Sequence, residues 1–152
     1  MNTEVNSRLI GSAGEYFVAG ELSRHGVVAA LTMAGTDAFD ILAINGQGQQ
    51  FAVQVKTTKD KKSTWLLSKK DEQTVAQYLY YVFVRLNGEE LPDCYVVPSA
   101  VVVREIRERH RRWMEAPARN GNHHRDSGIR EFQIEERDPR YYRRWDYFIN
   151  GD

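Results

Sequence analysis

The chain has 152 residues, 41% hydrophobic and 28% charged with acids and bases in balance, which suits one ordinary domain with a real core and argues against disorder along its body. A single cysteine, Cys94, excludes an internal disulfide, and the start MNTEVNSRLI lacks the basic-then-apolar order of a secretory signal. Apolar runs at 27–30 and 95–103 are far shorter than the ~20 residues that span a bilayer, so a soluble cytoplasmic protein with no membrane segment is expected.

Residues 12–25 read as a helix. SAGE opens it in the capping-box pattern, with Ser12 as N-cap and Glu15 three residues on, and Gly26 closes it. Glu15, Val18, Ala19 and Leu22 share one face by three-and-four spacing. Short strands follow: VVAAL at 27–31, FDILAI at 39–44 and FAVQVKTT at 51–58. The last alternates Phe51, Val53 and Val55 against Ala52, Gln54 and Lys56. Turn-rich INGQGQQ joins the second and third strands as a hairpin, and a centre at Gln47 sets Asp40 opposite Gln54. A slip of one residue would undo that pairing.

Residues 59–64 read as a loop, and a short helix starts at Ser68 or Asp71 and runs to Gln77. YLYYVFVRL (78–86) reads as a buried strand and DCYVVP (93–98) as another. Ser99 caps a helix over 100–115, APARNGNHHRDSG is a loop, and REFQIEE (130–136) is a last strand. Pro139 opens a helical tail holding YYRRWDYF. Helix, strands, helix, strand, helix make a mixed α/β or α+β domain over residues 1–152, with a central sheet.

The zero net charge does not mark a nucleic-acid binder, but its distribution is uneven. Residues 1–55 carry a net −3, residues 56–70 a net +5 with all six lysines, residues 71–103 a net −4 and residues 104–152 a net +2. The basic segment begins at Lys56.

Gln54 and Lys56 are two apart on a strand and so face the same way, with Asp40 on the neighbouring strand. A carboxylate and an amide oxygen can jointly hold a hard divalent cation such as Mg²⁺. A lysine beside them can steady developing phosphate charge, or orient or deprotonate an attacking water. Glu15 on an early helix, then FDILA, a hairpin and QVK, resembles the PD-(D/E)XK nuclease superfamily. That pattern is an acidic residue, a hairpin, then an acidic residue, any residue, and lysine. The likeness is strongest over residues 11–58 and weaker over YLYYVFVRL, CYVVPS and RRWDYF.

The resemblance implies a restriction-endonuclease-like mixed central sheet flanked by helices, and a Mg²⁺-dependent endonuclease acting on DNA, with Mn²⁺ as a substitute ion. It makes Asp40 and Gln54 metal ligands, Lys56 the catalytic lysine, and Glu15 a supporting carboxylate for the metal or its waters. It also implies a homodimer, of the kind that small four-way-junction resolvases form, and no small-molecule cofactor. Most members carry Asp or Glu where this chain has Gln54. Glutamine keeps an oxygen donor and loses a negative charge, which Glu15 or Asp37 would have to supply. A second reading therefore stands: a nuclease-fold module that binds nucleic acid or a protein partner without cutting.

Other features carry two readings each. Lys59, Lys61 and Lys62 are either a solvated loop or phosphate contacts leaving the site directly. Glu15 fits a capping box, but a carboxylate on a core-facing stripe wants a partner or a metal. Asp37 suits a turn as well as a metal. REIRERHRRW suits intrahelical ion pairing as well as DNA contact. His123 and His124 have no cysteine partner, which argues against zinc. The aromatic tail reads as core or subunit interface, and Pro92–Asp93 is not followed by acid-x-lysine.

Overall fold

The Asn6 side chain accepts the Leu9 N–H and opens α1, Ser7–Arg24, so the helix starts five residues before the Ser12 cap expected from sequence. Those contacts come from a computed structural model, which describes residues 6–33 and 39–151. Asp37 lies outside the described residues. SAGE falls inside α1, so Glu15 caps nothing and projects from mid-helix. Gly26, at φ 77°, ends the helix as expected, since only glycine takes that conformation without strain.

Seven strands follow: β1 Val28–Leu31, β2 Ile41–Ile44, β3 Gln50–Thr58, β4 Thr64–Ser68, β5 Leu79–Asn87, β6 Glu90–Pro98 and β7 Ile129–Gln133. The main sheet runs β1-β2-β3-β5-β6. β3 and β5 are parallel and the other neighbours antiparallel, so the sheet is mixed. The β2–β3 hairpin pairs Ile41 with Val53 and Ile44 with Gln50, the register centred on Gln47.

The sheet is covered on both faces. Val18 and Leu22 of α1 pack over Ile41, Phe51, Val53, Val55 and Val82, with Trp145 and Phe148 of the tail closing that core. On the other face Tyr81, Phe83, Tyr95 and Val97 meet α2, Ser99–Glu115, through Val102 and Ile106. β5 is buried on both sides from Leu79 to Arg85, as its unbroken apolar run indicates.

Three further expectations need correction. The loop expected over residues 59–64 ends one residue early: Thr64 opens β4, an unforeseen strand that pairs with β7 as a separate two-stranded ribbon, with Trp65 and Phe132 turned inward. Ser99 does not cap α2; it is the first helical residue, and its hydroxyl donates to the Ala76 carbonyl and accepts the Ala76 N–H. The tail is mostly turns, because Tyr142 bridges to Tyr95 and Arg137 and Arg143 take positive φ; only Asp146–Asn150 is helical (α3). Among the described residues no helix is long and apolar enough to cross a membrane.

Candidate active site

Asp40 stands one residue before β2, and its backbone N–H donates to the Val53 carbonyl at 2.9 Å. Continuing the register sets it opposite Gln54. Beyond the last paired residues, the Val55 N–H lacks a strand carbonyl and donates to Asp40 Oδ2 at 2.7 Å. The carboxylate is thereby fixed on the hairpin. Burial pushes its pKa up, against the lowering effects of the Val55 N–H and the Lys56 charge.

Glu15 reaches the same place from α1. Gly14, the residue before it, makes this approach possible: a Cβ there would lie 1.9 Å from Thr57 Oγ1 of β3. The Glu15 carboxyl is raised first by burial and then by the Asp40 charge, so the two acids sense one another. Gathering two half-buried carboxylates costs electrostatic free energy that a divalent cation offsets. Oxygen donors from Asp40, Glu15 and the Gln54 amide fit Mg²⁺, which needs only one or two protein carboxylates and keeps its waters. Among the described residues, no three His, Cys, Asp or Glu side chains form a metal-holding group.

Gln54 and Lys56 face away from the α1 core. Their parallel-strand partners on β5 are Tyr81 and Phe83. Lys56 Nζ lies 3.7 Å from Asp71 Oδ1, with the lysine side chain 25% exposed and the aspartate 11%. Asp71 sits on a 3₁₀ helix, Lys69–Gln73, and accepts the Ser68 N–H (2.8 Å), the Ser68 hydroxyl (3.0 Å) and the Tyr81 hydroxyl (2.8 Å). Burial raises its pKa, but the Ser68 N–H, the Lys56 charge and these hydroxyls outweigh that and hold it below the usual range. Burial and the Asp71 charge push the Tyr81 phenol up, so it stays a donor.

Sequence reasoning missed Asp71 and Tyr81 as parts of this site. The Ser68-x-x-Asp71 pattern does announce the short helix. Its aim at Lys56 depends on the parallel β3–β5 pairing, which carries no local signal. Lys59, Lys61 and Lys62 are exposed on the loop that leaves β3. The buried Arg85 pins that loop, donating to the Lys61 carbonyl at 2.9 Å and to Ser63 Oγ at 3.2 Å. Of the α2 arginines, Arg111 and Arg112 pair with Glu108 and Glu115 of the same helix, Arg104 pairs with the adjacent Glu105, and Arg109 pairs with Glu131 of β7.

No protein-family model matches the chain, and no curated protein matches it in sequence. Solved structures do match. A bacterial homing endonuclease superposes with a TM-score of 0.59 at 14% identity, over 96% of this chain and 93% of that one. A Holliday junction resolvase from Archaeoglobus fulgidus superposes with a TM-score of 0.52 at 17% identity, over 86% of this chain and 88% of that one. Both are restriction-endonuclease-like nucleases. This chain thus has the restriction-endonuclease-like fold, with Asp40, Gln54 and Lys56 together on its β2–β3 hairpin.

Proposed function

We propose that the protein is a Mg²⁺-dependent endonuclease acting on DNA. The observation that carries this reading is the hairpin register that sets the fixed Asp40 carboxylate opposite Gln54, with the Lys56 and Glu15 charges both within electrostatic reach of Asp40. Asp40 and Gln54 are the ligands for Mg²⁺, or Mn²⁺ in its place, and Glu15 supports the ion or its waters. Such an ion, when bound, polarises a phosphodiester and lowers the pKa of a water. Lys56 places an ammonium where negative charge develops on the phosphoryl oxygens and helps position the water that attacks phosphorus in line.

Lys59, Lys61 and Lys62 contact backbone phosphates, which fix the register of a duplex without reading its sequence. Two structural neighbours named as a homing endonuclease and a junction resolvase support DNA as the substrate. A homodimer belongs to this reading, because a two-fold pair presents two sites to two strands. So does a cytoplasmic location.

Gln54 favours one alternative, a module that binds nucleic acid or a protein partner without cutting, because it lacks the charge that most such sites carry. Incubation with supercoiled plasmid and a branched DNA in Mg²⁺ or Mn²⁺ separates the two. The nuclease reading expects nicked or linear product that EDTA abolishes. Salt-sensitive binding with no product would support the binding module instead.

A further inference from the structure

We infer that Asp71 is a positioning residue for Lys56: its buried carboxylate restrains the lysine side chain in the conformation the site uses. The inference rests on the nuclease reading for its consequence, and on geometry for the contact itself.

Lys56 has four rotatable side-chain bonds, and a free lysine head samples many rotamers. Here Nζ lies 3.7 Å from Asp71 Oδ1. The carboxylate is itself held by three donors. The Ser68 N–H and hydroxyl both go to Oδ2, while the Tyr81 hydroxyl goes to Oδ1, the oxygen that faces Lys56. Tyr81 is fully buried and is the register partner of Gln54 on the adjacent parallel strand. A rigid chain thus runs from the sheet through the Tyr81 hydroxyl to Asp71 and on to the Lys56 ammonium.

Fold stability alone does not require the lysine contact. A capping aspartate on a 3₁₀ helix is satisfied by the Ser68 groups, and the buried Tyr81 hydroxyl needs one acceptor, which Asp71 supplies; neither requirement involves Lys56. Holding a catalytic group within a fraction of an ångström is what such supporting contacts accomplish, and small misplacements cost on the order of 10²-fold in rate.

The test compares wild type with Asp71→Asn and Asp71→Glu. Plasmid-nicking kinetics are measured in Mg²⁺ below the melting temperature of every variant. NMR relaxation of the Lys56 ε-methylene gives a readout independent of activity. The expected result is a kcat lower by about 10- to 100-fold in Asp71→Asn. KM for DNA should be unchanged or lower, since a negative charge is removed near bound phosphate. Asp71→Glu should recover part of kcat, and the Lys56 ε-methylene should be more mobile in Asp71→Asn than in wild type. Unchanged Lys56 mobility would overturn the inference, whether kcat is retained or falls only in step with melting temperature. If the wild type cuts no DNA, the nuclease reading fails, and the relaxation comparison still decides whether Asp71 holds Lys56.

Discussion

The Asp40 carboxylate accepts the Val55 N–H at 2.7 Å, so a side chain completes the β2–β3 ladder where the strand carbonyls run out. One oxygen is committed to the fold and the other remains for chemistry. Asparagine at this position keeps an acceptor for Val55 and removes the charge. Asp40→Asn is therefore expected to fold and to lose cleavage by at least ~100-fold.

The same substitution has a stability signature. Asp40 is raised above its ordinary pKa of 3.8, chiefly by burial. The folded state then binds the proton more tightly than the unfolded chain does. Stability from this group is greatest below the ordinary pKa and declines as pH rises through the higher folded value. Metal-free Asp40→Asn should therefore melt no lower than metal-free wild type at pH 7, and its advantage should shrink towards pH 3. Melting curves at both pH values, with EDTA present, check this.

Gly14 allows α1 to lie against β3. A methyl group there would meet Thr57 Oγ1 at 1.9 Å. Gly14→Ala is expected to destabilise the protein by about 1–3 kcal/mol, through overpacking, and to lower activity by displacing Glu15. Thr57→Ala should relieve part of the clash, so a double-mutant cycle in denaturant should show positive coupling between the two sites. Additivity would mean that the helix does not rest on Thr57.

Arg85 and Asp93 form a buried pair at 2.7 Å. Burial raises the Asp93 pKa, but hydrogen bonds from Arg85, Asn87 and Tyr142 hold it below the ordinary 3.8. Its contribution is present above that ordinary value and is lost as pH falls below it through the folded pKa. Asp93→Asn should cost about 3–5 kcal/mol at pH 7, because among the described residues it leaves the buried guanidinium with only the more exposed Glu136 as a carboxylate partner. It should also flatten the decline in stability below pH 4. Urea titrations across pH 3–7 measure both effects.

Lys59, Lys61 and Lys62 are exposed and stand directly after the site. Replacing all three with glutamine should weaken DNA binding across sequences and reduce the slope of log affinity against log salt by about three. The cleavage rate at saturating DNA should change little.

Much of this site could be read from sequence, because its chemistry sits on a hairpin. Alternation in FAVQVKTT and the turn residues of INGQGQQ fix both the faces and the register, and these place Asp40 opposite Gln54. Glu15 was legible as a carboxylate on a core-facing stripe, though its helix starts at Ser7, since Asn6 caps it and SAGE merely continues it. β4 was hidden by the lysine-rich run before it and by its length of five residues. Its partner β7 lies far along the chain, so nothing local announces the ribbon. Asp71 escaped for the same reason: only the parallel β3–β5 pairing carries Tyr81 under it and Lys56 beside it.

The most direct test of the central claim is the rate of supercoiled-plasmid nicking in Mg²⁺ by wild type, Asp40→Ala and Lys56→Ala, with folding of each verified by circular dichroism. The expected result is EDTA-sensitive nicking by wild type and a loss of at least ~100-fold in both variants. Nicking that persists in folded Asp40→Ala and Lys56→Ala would contradict the account, because it would place the chemistry somewhere other than this hairpin.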